Sequence, residues 1–279
     1  MKRSVVITGV SSGIGFASAR TLVERGYRVF GSVRNEADAQ RVRAALGAEF
    51  VALVFDVTDG AGIARAADTV AAQIGGQCLA ALINNAGIGP TGPLLLEPPE
   101  EIRRVFEVNV FGAIAVTRAF LPLLGGRRNA PRPRGRIVNI SSFNGGVSVP
   151  FAIAYSASKH ALEAITDGLR RELWIYGIDA IAIEPGTIRT EIWDKFRAFG
   201  VEKRYAETDY GRALAALPDI VEEQIRKGDP VEKVSEAVVH AIESPRPKAR
   251  YPLTALWYLT RLIPARLLDR ELTKRLRLR

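Results

Sequence analysis

The sequence is poor in the residues that form disulfides and metal sites. Its 279 residues include one cysteine, Cys78, and two histidines, His160 and His240. A single cysteine excludes an intrachain disulfide and favours a reducing compartment. Two histidines are too few for a cluster of metal ligands. We therefore expect no metal site.

Long apolar runs are also lacking. No stretch of 18 apolar residues occurs, so we expect no transmembrane helix. The amino-terminal segment MKRSVVITGV starts like a signal peptide, but its apolar run is short and leads into SSGIG, which is not a cleavage site. The sequence therefore predicts a cytoplasmic protein.

The net charge of +9 is concentrated near the carboxyl terminus. The segment 244–279 contains ten cations and two acids, a net charge of +8, so the remainder of the chain is almost neutral. The basic character thus belongs to a tail, and it gives no reason to expect that the domain binds nucleic acid.

Short apolar runs alternate with helix-length segments along most of the chain. The predicted strands are 4–9, 27–33, 50–57, 79–85, 135–142 and 178–185, and the predicted helices are 15–25, 35–46, 60–74, 99–124 and 153–176. The strands are apolar on both faces, as buried parallel strands are. This pattern predicts an α/β protein with a single-domain Rossmann fold, a doubly wound parallel sheet of about seven strands with helices on both faces.

The domain organisation follows from the same pattern. We assign 1–250 to a single α/β domain and 251–279 to a basic amphipathic extension. Within the domain, 187–228 is long for a connection and mixes aromatic residues with charges. Because long connections at the carboxyl ends of strands often cover ligands, we predict that it is a substrate loop.

Two motifs indicate chemistry. The stretch TGVSSGIG, Thr8–Gly15, joins the first strand to the first helix, where glycines let a pyrophosphate approach the helix N-terminus. Its spacing is G-x-x-x-G-x-G rather than the commoner G-x-G-x-x-G, and glycines also end strands for purely structural reasons. In YSASK, Tyr155 and Lys159 lie one helical turn apart on one face. Taken alone, this pair could equally be two amphipathic side chains on a wet surface.

Together these motifs resemble the short-chain dehydrogenase/reductase family over nearly the whole chain. The matching segments, in family order, are TGVSSGIG (8–15), DV (56–57), NNAG (84–87), Asn109 in VNVFG, IVNISS (137–142), YSASK (155–159) and PGTIRT (185–190). The segments YRVFGSVRNE and ARYPL are similar to the hydroxysteroid- and retinol-dehydrogenase-like branch.

The resemblance implies a catalytic role for four residues. Tyr155 is expected to exchange a proton with the substrate oxygen, and a neighbouring Lys159 favours the phenolate over the phenol, whose free pKa is about 10. Lys159 would also bond the nicotinamide ribose, Ser142 would bond the substrate oxygen, and Asn109 would hold a water. Ser141 is the neighbouring alternative to Ser142, and the family spacing of thirteen residues before Tyr155 selects Ser142.

The resemblance also assigns the dinucleotide. The implied cofactor-binding residues are Gly9, Ser11, Ser12, Gly13, Ile14, Gly15, Arg34, Asp56, Val57, Asn85, Ala86, Gly87, Tyr155, Lys159, Pro185, Gly186, Ile188 and Thr190. Asn84 would support the sheet beside them. At the end of the second strand Val33 replaces the acid that bonds a ribose hydroxyl in NAD enzymes, and Arg34 follows. An arginine there suits a 2′-phosphate, so NADP(H) is favoured over NAD(H). The alternative is that Arg34 only neutralises nearby acids, Glu36 and Asp38.

The predicted function is an NADP(H)-dependent oxidoreductase that interconverts a lipophilic alcohol and its ketone or aldehyde. The expected substrate wall is apolar: Leu94–Leu96, Phe143, Val147, Val149, Phe151 and the aromatics of 187–228. These residues could instead be core or subunit contacts. The alternative function is a non-catalytic dinucleotide sensor, although such proteins usually lose the tyrosine or the lysine. The resemblance implies a homodimer or homotetramer built through 99–124 and 153–176.

The last sixteen residues, 264–279, form an amphipathic helical pattern. Leucines 268, 272 and 276 share one face, and the cations Arg266, Arg270, Lys274 and Arg277 share another. Such a helix can lie on an anionic membrane surface. The commoner alternative is that its leucines pack on the body of the protein or on another subunit.

Overall fold

The computed structural model describes residues 2–260 and 262–278, and at position 195 the backbone only. Within these residues the strands form one parallel seven-stranded sheet in the order β3-β2-β1-β4-β5-β6-β7. The strands are β1 (Ser4–Ile7), β2 (Arg28–Val33), β3 (Phe50–Val54), β4 (Ala81–Asn84), β5 (Arg136–Ile140), β6 (Ala180–Glu184) and β7 (Arg250–Pro252). The predicted doubly wound α/β fold is confirmed.

The described helices follow the predicted ones closely as far as β6. They are α1 (Gly13–Glu24), α2 (Glu36–Leu46), α3 (Gly60–Gln73), α4 (Pro99–Phe106), α5 (Ala113–Phe120), α6 (Ile153–Glu172), α7 (Ile192–Phe199), α8 (Val201–Arg204), α9 (Gly211–Ala215), α10 (Leu217–Arg226), α11 (Glu232–Glu243), α12 (Leu256–Thr260) and α13 (Ala265–Arg275). A π-helical turn, Glu107–Gly112, joins α4 to α5. Short 3₁₀ turns occupy Leu121–Leu124, Phe143–Gly145 and Leu173–Tyr176.

Alternate strand residues pack against opposite helix layers. In β1, Val5 and Ile7 belong to an apolar cluster with α1, α2 and α11, whereas Val6 belongs to a second cluster with α3 and α5. Because successive strand residues point to opposite faces, a strand buried on both sides must be apolar throughout. This burial explains why the short apolar runs located the first six strands.

The strand order reverses between β1 and β4. The chain moves outward from β1 to β2 and β3, then returns through α3 to the other side of β1. In doubly wound sheets, ligands bind at the carboxyl ends of the strands that flank this reversal. The residues that follow β1 and β4 therefore lie where a nucleotide site is expected.

The segment 187–228, predicted to be a loop, is largely helical. It contains α7 to α10, and a bridge between Ile188 and Asp229 ties its two ends together. We call residues 188–228 the lid. Its apolar residues form a separate cluster, the lid core: Phe151, Val201, Tyr205, Ala213, Leu214, Leu217, Val221 and Leu276, with further aromatics packed against them. The aromatic residues in this segment thus mark short helices rather than irregular chain.

The carboxyl-terminal extension is not independent of the domain. Strand β7 spans the predicted boundary at 250/251, so two residues assigned to the extension complete the sheet. A three-residue strand is too short for sequence periodicity to reveal it. Farther along, Leu276 is only 4% exposed and inserts into the lid core. Two of the tail cations, Arg261 and Arg279, lie outside the described residues.

A group of buried charges fastens α6 to the edge of the sheet. Arg250 in β7 pairs with Glu163 and Asp167 of α6 and with Glu184 at the end of β6. The Asp167 and Glu184 contacts are both 2.9 Å, and the Glu184 side chain is fully buried. Because buried charges are stable only when paired, this arginine fixes α6 relative to β6.

The run Pro99–Leu124 is long and apolar enough to cross a membrane by length and composition alone. In the structure, Val116, Phe120 and Leu124 pack against the sheet in the second apolar cluster, as a core helix does. Phe111 on this run and Trp174 and Ile175 after α6 leave apolar side chains at the surface. They lie on the two segments for which subunit contacts are predicted, and that contact stays a prediction.

Candidate active site

The glycines of the first strand–helix turn lie where a side chain would clash or would strain the backbone. A Cβ atom at Gly15 would lie 2.2 Å from the Gly9 carbonyl oxygen and 2.4 Å from Nδ2 of Asn85. Gly9 and Gly13 have φ angles of +71° and +58°, in the left-handed region that favours glycine. Glycine is therefore required at these positions by the backbone path, independently of any ligand.

The turn leaves the N-terminus of α1 open. Ser12 is the N-cap residue, but its side chain makes no capping hydrogen bond, and the first turn of α1 carries no acidic residue. Free N–H groups and the helix dipole favour an anion at such a position. A carboxylate oxygen of Glu191 accepts a hydrogen bond from Gly13 N at 3.2 Å. The turn can thus hold an anion, and the residues present fit a dinucleotide pyrophosphate.

The end of β4 is joined to this turn by hydrogen bonds. Asn85 N and Ala86 N both donate to Oγ1 of Thr8 at 3.0 Å, and Asn85 Nδ2 donates to the Thr8 and Gly9 carbonyls at 2.9 Å. These bonds join the ends of β1 and β4, the two strands between which the strand order reverses. Gly87, the next residue of the motif, is exposed.

Asn84 lies one residue deeper in a buried chain of polar side chains. Its Nδ2 donates to Oδ1 of Asn139 and to Oγ1 of Thr117, at 2.8 and 2.9 Å. Asn139 Nδ2 in turn donates to Thr166 of α6 at 2.8 Å. Since buried polar groups need partners, this chain holds β4, β5 and α6 in a fixed register. This position is compatible with the supporting role that the resemblance implies for Asn84, which stays a prediction.

The Tyr155–Lys159 pair faces this edge of the sheet from α6. Nζ of Lys159 lies 5.7 Å from the centre of the Tyr155 ring and donates to the Ile140 carbonyl at 2.9 Å. Ser142 hydrogen-bonds the Tyr155 phenol. Tyr155 is half-buried and Lys159 is buried, so the pair is not a solvated surface feature, and the alternative interpretation of the motif fails on geometry.

Burial controls both ionisations. It lowers the pKa of Lys159 to about 8, and it raises the pKa of Tyr155 above its ordinary value despite the Ser142 hydrogen bond, which lowers it. We expected the ammonium to favour the phenolate, but in this state desolvation is the larger effect. The phenol therefore keeps its proton near neutral pH.

Asn109 lies in the π-helical turn, a feature often found at functional sites. Its side chain accepts from Ile88 N and donates to the Ile88 carbonyl, both at 2.8 Å, and donates to Ser158 at 3.0 Å. It is 1% exposed. Asn109 is thus linked to α6 through Ser158, whose hydroxyl donates to the Tyr155 carbonyl. A water between Asn109 and Lys159 stays a prediction.

Ser142 and Ser141 face different surroundings. Ser142 caps the following 3₁₀ turn by accepting from Asn144 N at 3.1 Å and also reaches Tyr155. Ser141 is buried beside Gly145 and Glu163, on the side of α6 that faces Arg250. Strand alternation therefore turns Ser142 toward the tyrosine.

The turn after β6 meets the first turn across the crevice. The side chain of Thr190 lies 3.5 Å from where a Cβ of Gly13 would be, and Ile188 is buried at the start of the lid. The Pro185 carbonyl accepts from Phe143 N at 2.7 Å, and Gly186 packs near Thr254. Three segments that are far apart in sequence thus converge on one cleft.

The predicted adenine contacts lie after β3. Asp56 accepts from the amide and hydroxyl of Thr58 at 2.9 and 2.8 Å, and Val57 packs against Gly112 of the π-helical turn. Ser11 and Ile14 belong to the first turn, where Ile14 packs on the first apolar cluster. These positions are compatible with the roles implied by the resemblance, which stay predictions.

Arg34 is exposed at the end of β2, and among the described residues it has no hydrogen-bond or ion-pair partner. The acids that it was proposed to neutralise are engaged elsewhere: Glu36 pairs with Arg43 at 2.7 Å and Asp38 with Arg41 at 2.6 Å. Arg34 is therefore available for an anion. The structural alternative for this residue loses its support.

Two residues of the site were not identified from the sequence. Arg41 of α2 donates to the Ser11 carbonyl at 2.7 Å, which places a second cation beside the first turn. Glu191 reaches Gly13 from the far side of the cleft. Its position directly after PGTIRT was a signal, but a contact across 178 residues requires the folded chain.

A glycine turn that accepts an anion, next to a paired phenol and ammonium at the sheet's switch point, is the arrangement of a dinucleotide-dependent oxidoreductase. Comparison with known sequences agrees. The profile described as short chain dehydrogenase matches residues 3–199. The chain therefore belongs to the short-chain dehydrogenase/reductase family, and it is an oxidoreductase of the retinol- and hydroxysteroid-dehydrogenase-like branch.

Individual relatives cover almost the whole chain. It is 41% identical to an NADPH-dependent 3-dehydrocapnine reductase of Ornithobacterium rhinotracheale, over 99% of this chain and 98% of that protein. It is 33% identical to human retinol dehydrogenase 16, over 88% and 79%. Among solved structures, a short-chain dehydrogenase from Streptomyces avermitilis is 31% identical with a TM-score of 0.74, over 98% and 96%.

The buried ammonium makes stability depend on pH. Because burial holds the folded-state pKa of Lys159 at about 8, below its ordinary value of 10.5, the charge destabilises the fold below about pH 8. This penalty disappears as pH rises toward the unfolded value. We predict that Lys159→Met raises the free energy of unfolding by about 1–2 kcal/mol at pH 7, with the gain shrinking by pH 10. Urea unfolding at both pH values measures this.

The control for this variant is Lys203→Met, which removes an exposed lysine from α8. It should change the free energy of unfolding by less than about 0.5 kcal/mol at either pH. A gain for Lys159→Met that is the same at pH 7 and pH 10 would contradict a titrating buried charge.

Proposed function

We propose that this protein reduces a carbonyl group on a lipophilic molecule with NADPH, Tyr155 being the proton donor. The observation that carries the proposal is the Ser142–Tyr155–Lys159 group at the edge of the nucleotide cleft. Since the fold supports many substrates, the argument rests on these side chains and not on kinship alone.

The protonation states favour reduction. Burial raises the pKa of Tyr155, so the phenol is loaded with the proton that a ketone oxygen must receive. Ser142 bonds the phenol and can also donate toward the substrate oxygen as negative charge develops on it. Lys159, held by the Ile140 carbonyl, stabilises the phenolate left behind. When bound, the reduced nicotinamide supplies the hydride.

The cofactor is NADP(H). Arg34, which has no ion pair within the described part of the chain, and Arg41 beside Ser11 provide two cations near the end of β2, where Val33 stands in place of an acid. The 3-dehydrocapnine reductase relative is named as NADPH-dependent. We assign the 2′-phosphate to Arg34, with Arg41 as its neighbour.

The lid supports a lipophilic substrate. Phe151 and Tyr210 make an edge-to-face contact with ring centres 5.9 Å apart, and Trp193 and Phe196 pack against the same lid core. Phe151, which we expected in the substrate wall, packs in the lid core, and its contact with substrate stays a prediction. Leu95, which was expected in the substrate wall, and Ile192 at the start of α7 are exposed apolar side chains. One relative is named as a retinol dehydrogenase and another as an NADPH-dependent 3-dehydrocapnine reductase.

The non-catalytic sensor is the competing function, and Tyr155→Phe separates the two. We predict that wild-type protein oxidises NADPH with apolar ketones or aldehydes in preference to small polar ones. The variant should lose about 10²–10⁴-fold in kcat, because the proton donor is gone, while its NADPH dissociation constant is unchanged. Absorbance at 340 nm and calorimetric binding provide the two measurements.

Tyr176→Phe is the matched control, since Tyr176 follows α6 and packs on the second apolar cluster away from the cleft. Its turnover should equal that of the wild type. Tight NADPH binding by the wild type with no turnover of any carbonyl in the panel would favour the sensor.

The assignment of Arg34 generates a separate prediction. Arg34→Ala should weaken NADPH binding about ten- to a hundredfold, since a hydrogen bond to a charged group is lost, and leave NADH binding unchanged. Arg43→Ala, a neighbouring exposed arginine that is already paired with Glu36, should alter either affinity less than about twofold. Equal weakening for both nucleotides would refute a 2′-phosphate contact.

We also propose that the extension rests on an anionic membrane surface. The leucine face at 268, 272 and 276 turns toward the protein, as the commoner alternative expected. A different set of leucines is exposed: 256, 259, 262 and 267. The cations Arg266, Arg270 and Lys274 of α13 are exposed as well. Exposed apolar side chains among cations complement an anionic lipid surface.

Vesicle sedimentation tests this surface. The protein should bind phosphatidylcholine vesicles that contain phosphatidylglycerol and release them at high salt, because the attraction is electrostatic. Leu259→Ser combined with Leu262→Ser should weaken binding, whereas Trp174→Ser, which removes an exposed apolar side chain elsewhere, should not. Equal effects of both variants, or no binding, would rule out the extension as the membrane contact.

A further inference from the structure

Glu191 places a carboxylate where the nucleotide site binds anions. Although it is the N-cap residue of α7, its side chain makes no capping bond on its own helix. Instead, its Oε2 accepts from Gly13 N at the N-terminus of α1, 3.2 Å away. The N-cap residue of α7 thus places its carboxylate at the N-terminus of α1, whose first turn has no acidic residue.

The cofactor and Glu191 require the same place. The pyrophosphate fits the open N–H groups of the first turn, and Gly13 N is one of them. A carboxylate and a phosphate at one N–H repel each other in addition to competing for the hydrogen bond. Binding of the nucleotide must therefore displace the Glu191 side chain.

Displacement of Glu191 acts on the lid. The lid is tied at its base, where Asp229 N donates to the Thr187 carbonyl at 2.9 Å and Arg189 N donates to the Asp229 carbonyl at 3.0 Å. Just inside this base, Nε1 of Trp193 donates to the Ile188 carbonyl at 2.8 Å, and the Trp193 ring packs on the lid core. The start of α7 is thus held to the rest of the lid by Trp193, and Glu191 links it to the first turn.

We infer that Glu191 is a positioning residue that holds the lid against the first turn until the cofactor pyrophosphate replaces its carboxylate. The inference rests on the proposed function only in that the cleft binds NADP(H). Release of α7 then couples cofactor binding to rearrangement of the substrate wall. The coupling costs cofactor affinity, because each binding event breaks the Glu191–Gly13 contact.

The first test is the NADPH affinity of Glu191→Gln, measured by calorimetry on nucleotide-free protein without substrate. Removing the charge should tighten binding about two- to tenfold, the range expected for one anion at a helix N-terminus. Glu207→Gln removes an equally exposed charge from the same lid, with no contact to the first turn among the described residues. Its NADPH affinity should equal that of the wild type.

A second ligand localises the effect. Adenosine 2′-monophosphate carries the 2′-phosphate but has no pyrophosphate, so it does not compete for Gly13 N. Its affinity should be the same in Glu191→Gln and wild type. If it tightens in parallel with NADPH, the effect is general electrostatics and the inference is wrong.

Limited proteolysis reports the lid directly. In nucleotide-free protein, Glu191→Gln should be cut within 188–228 several-fold faster than wild type, because the contact that holds α7 is weakened. Unchanged NADPH affinity together with unchanged cleavage would overturn the inference. This outcome differs from failure of the proposed function, which would appear as wild-type protein that does not bind NADPH or binds it without turnover.

Discussion

The structure depends on the close approach of three backbone segments where the sheet order reverses. The residues after β1, the residues after β4 and the start of α1 meet so closely that Gly15 has no space for a side chain. Thr8 and Asn85 then bond the segments together. With the turn fixed in this way, the open N-terminus of α1 points into the crevice, and the cofactor site follows from its position.

The second constraint is the burial of charge. Lys159 is 5% exposed, with its ammonium bonded to a backbone carbonyl, and its lowered pKa is the physical sign that this position is unfavourable for stability. Lys159 can occupy this unfavourable position because other contacts hold α6 in place. The Asn84–Asn139–Thr166 chain fixes its middle, and Arg250 fixes its carboxylates to the sheet edge. The rigid setting keeps phenol and ammonium adjacent without a direct bond between them.

The lid differs in character from the sheet domain. It has its own apolar core, to which the chain terminus contributes Leu276 and the segment before α6 contributes Phe151. Phe151 adopts a left-handed backbone with φ of +66°, an unfavourable conformation for a bulky residue, at the junction of the lid and α6. The lid, the segment before α6 and the chain terminus thus pack as one apolar unit beside the sheet domain.

The sequence by itself determined the order of strands and helices as far as β6, because each strand is buried on both faces and its residues must be apolar. It also located the glycine turn and the Tyr155–Lys159 pair, since local backbone and helical spacing dictate those residue types. Only the tertiary structure decided the helical lid, the three-residue β7, the turning of leucines 268, 272 and 276 toward the protein, and the raised pKa of Tyr155. These features arise from contacts between distant segments, such as Glu191 with Gly13 and Arg250 with Glu163. The periodicity of a sequence indicates which residues are buried, but it does not indicate which distant segments they pack against.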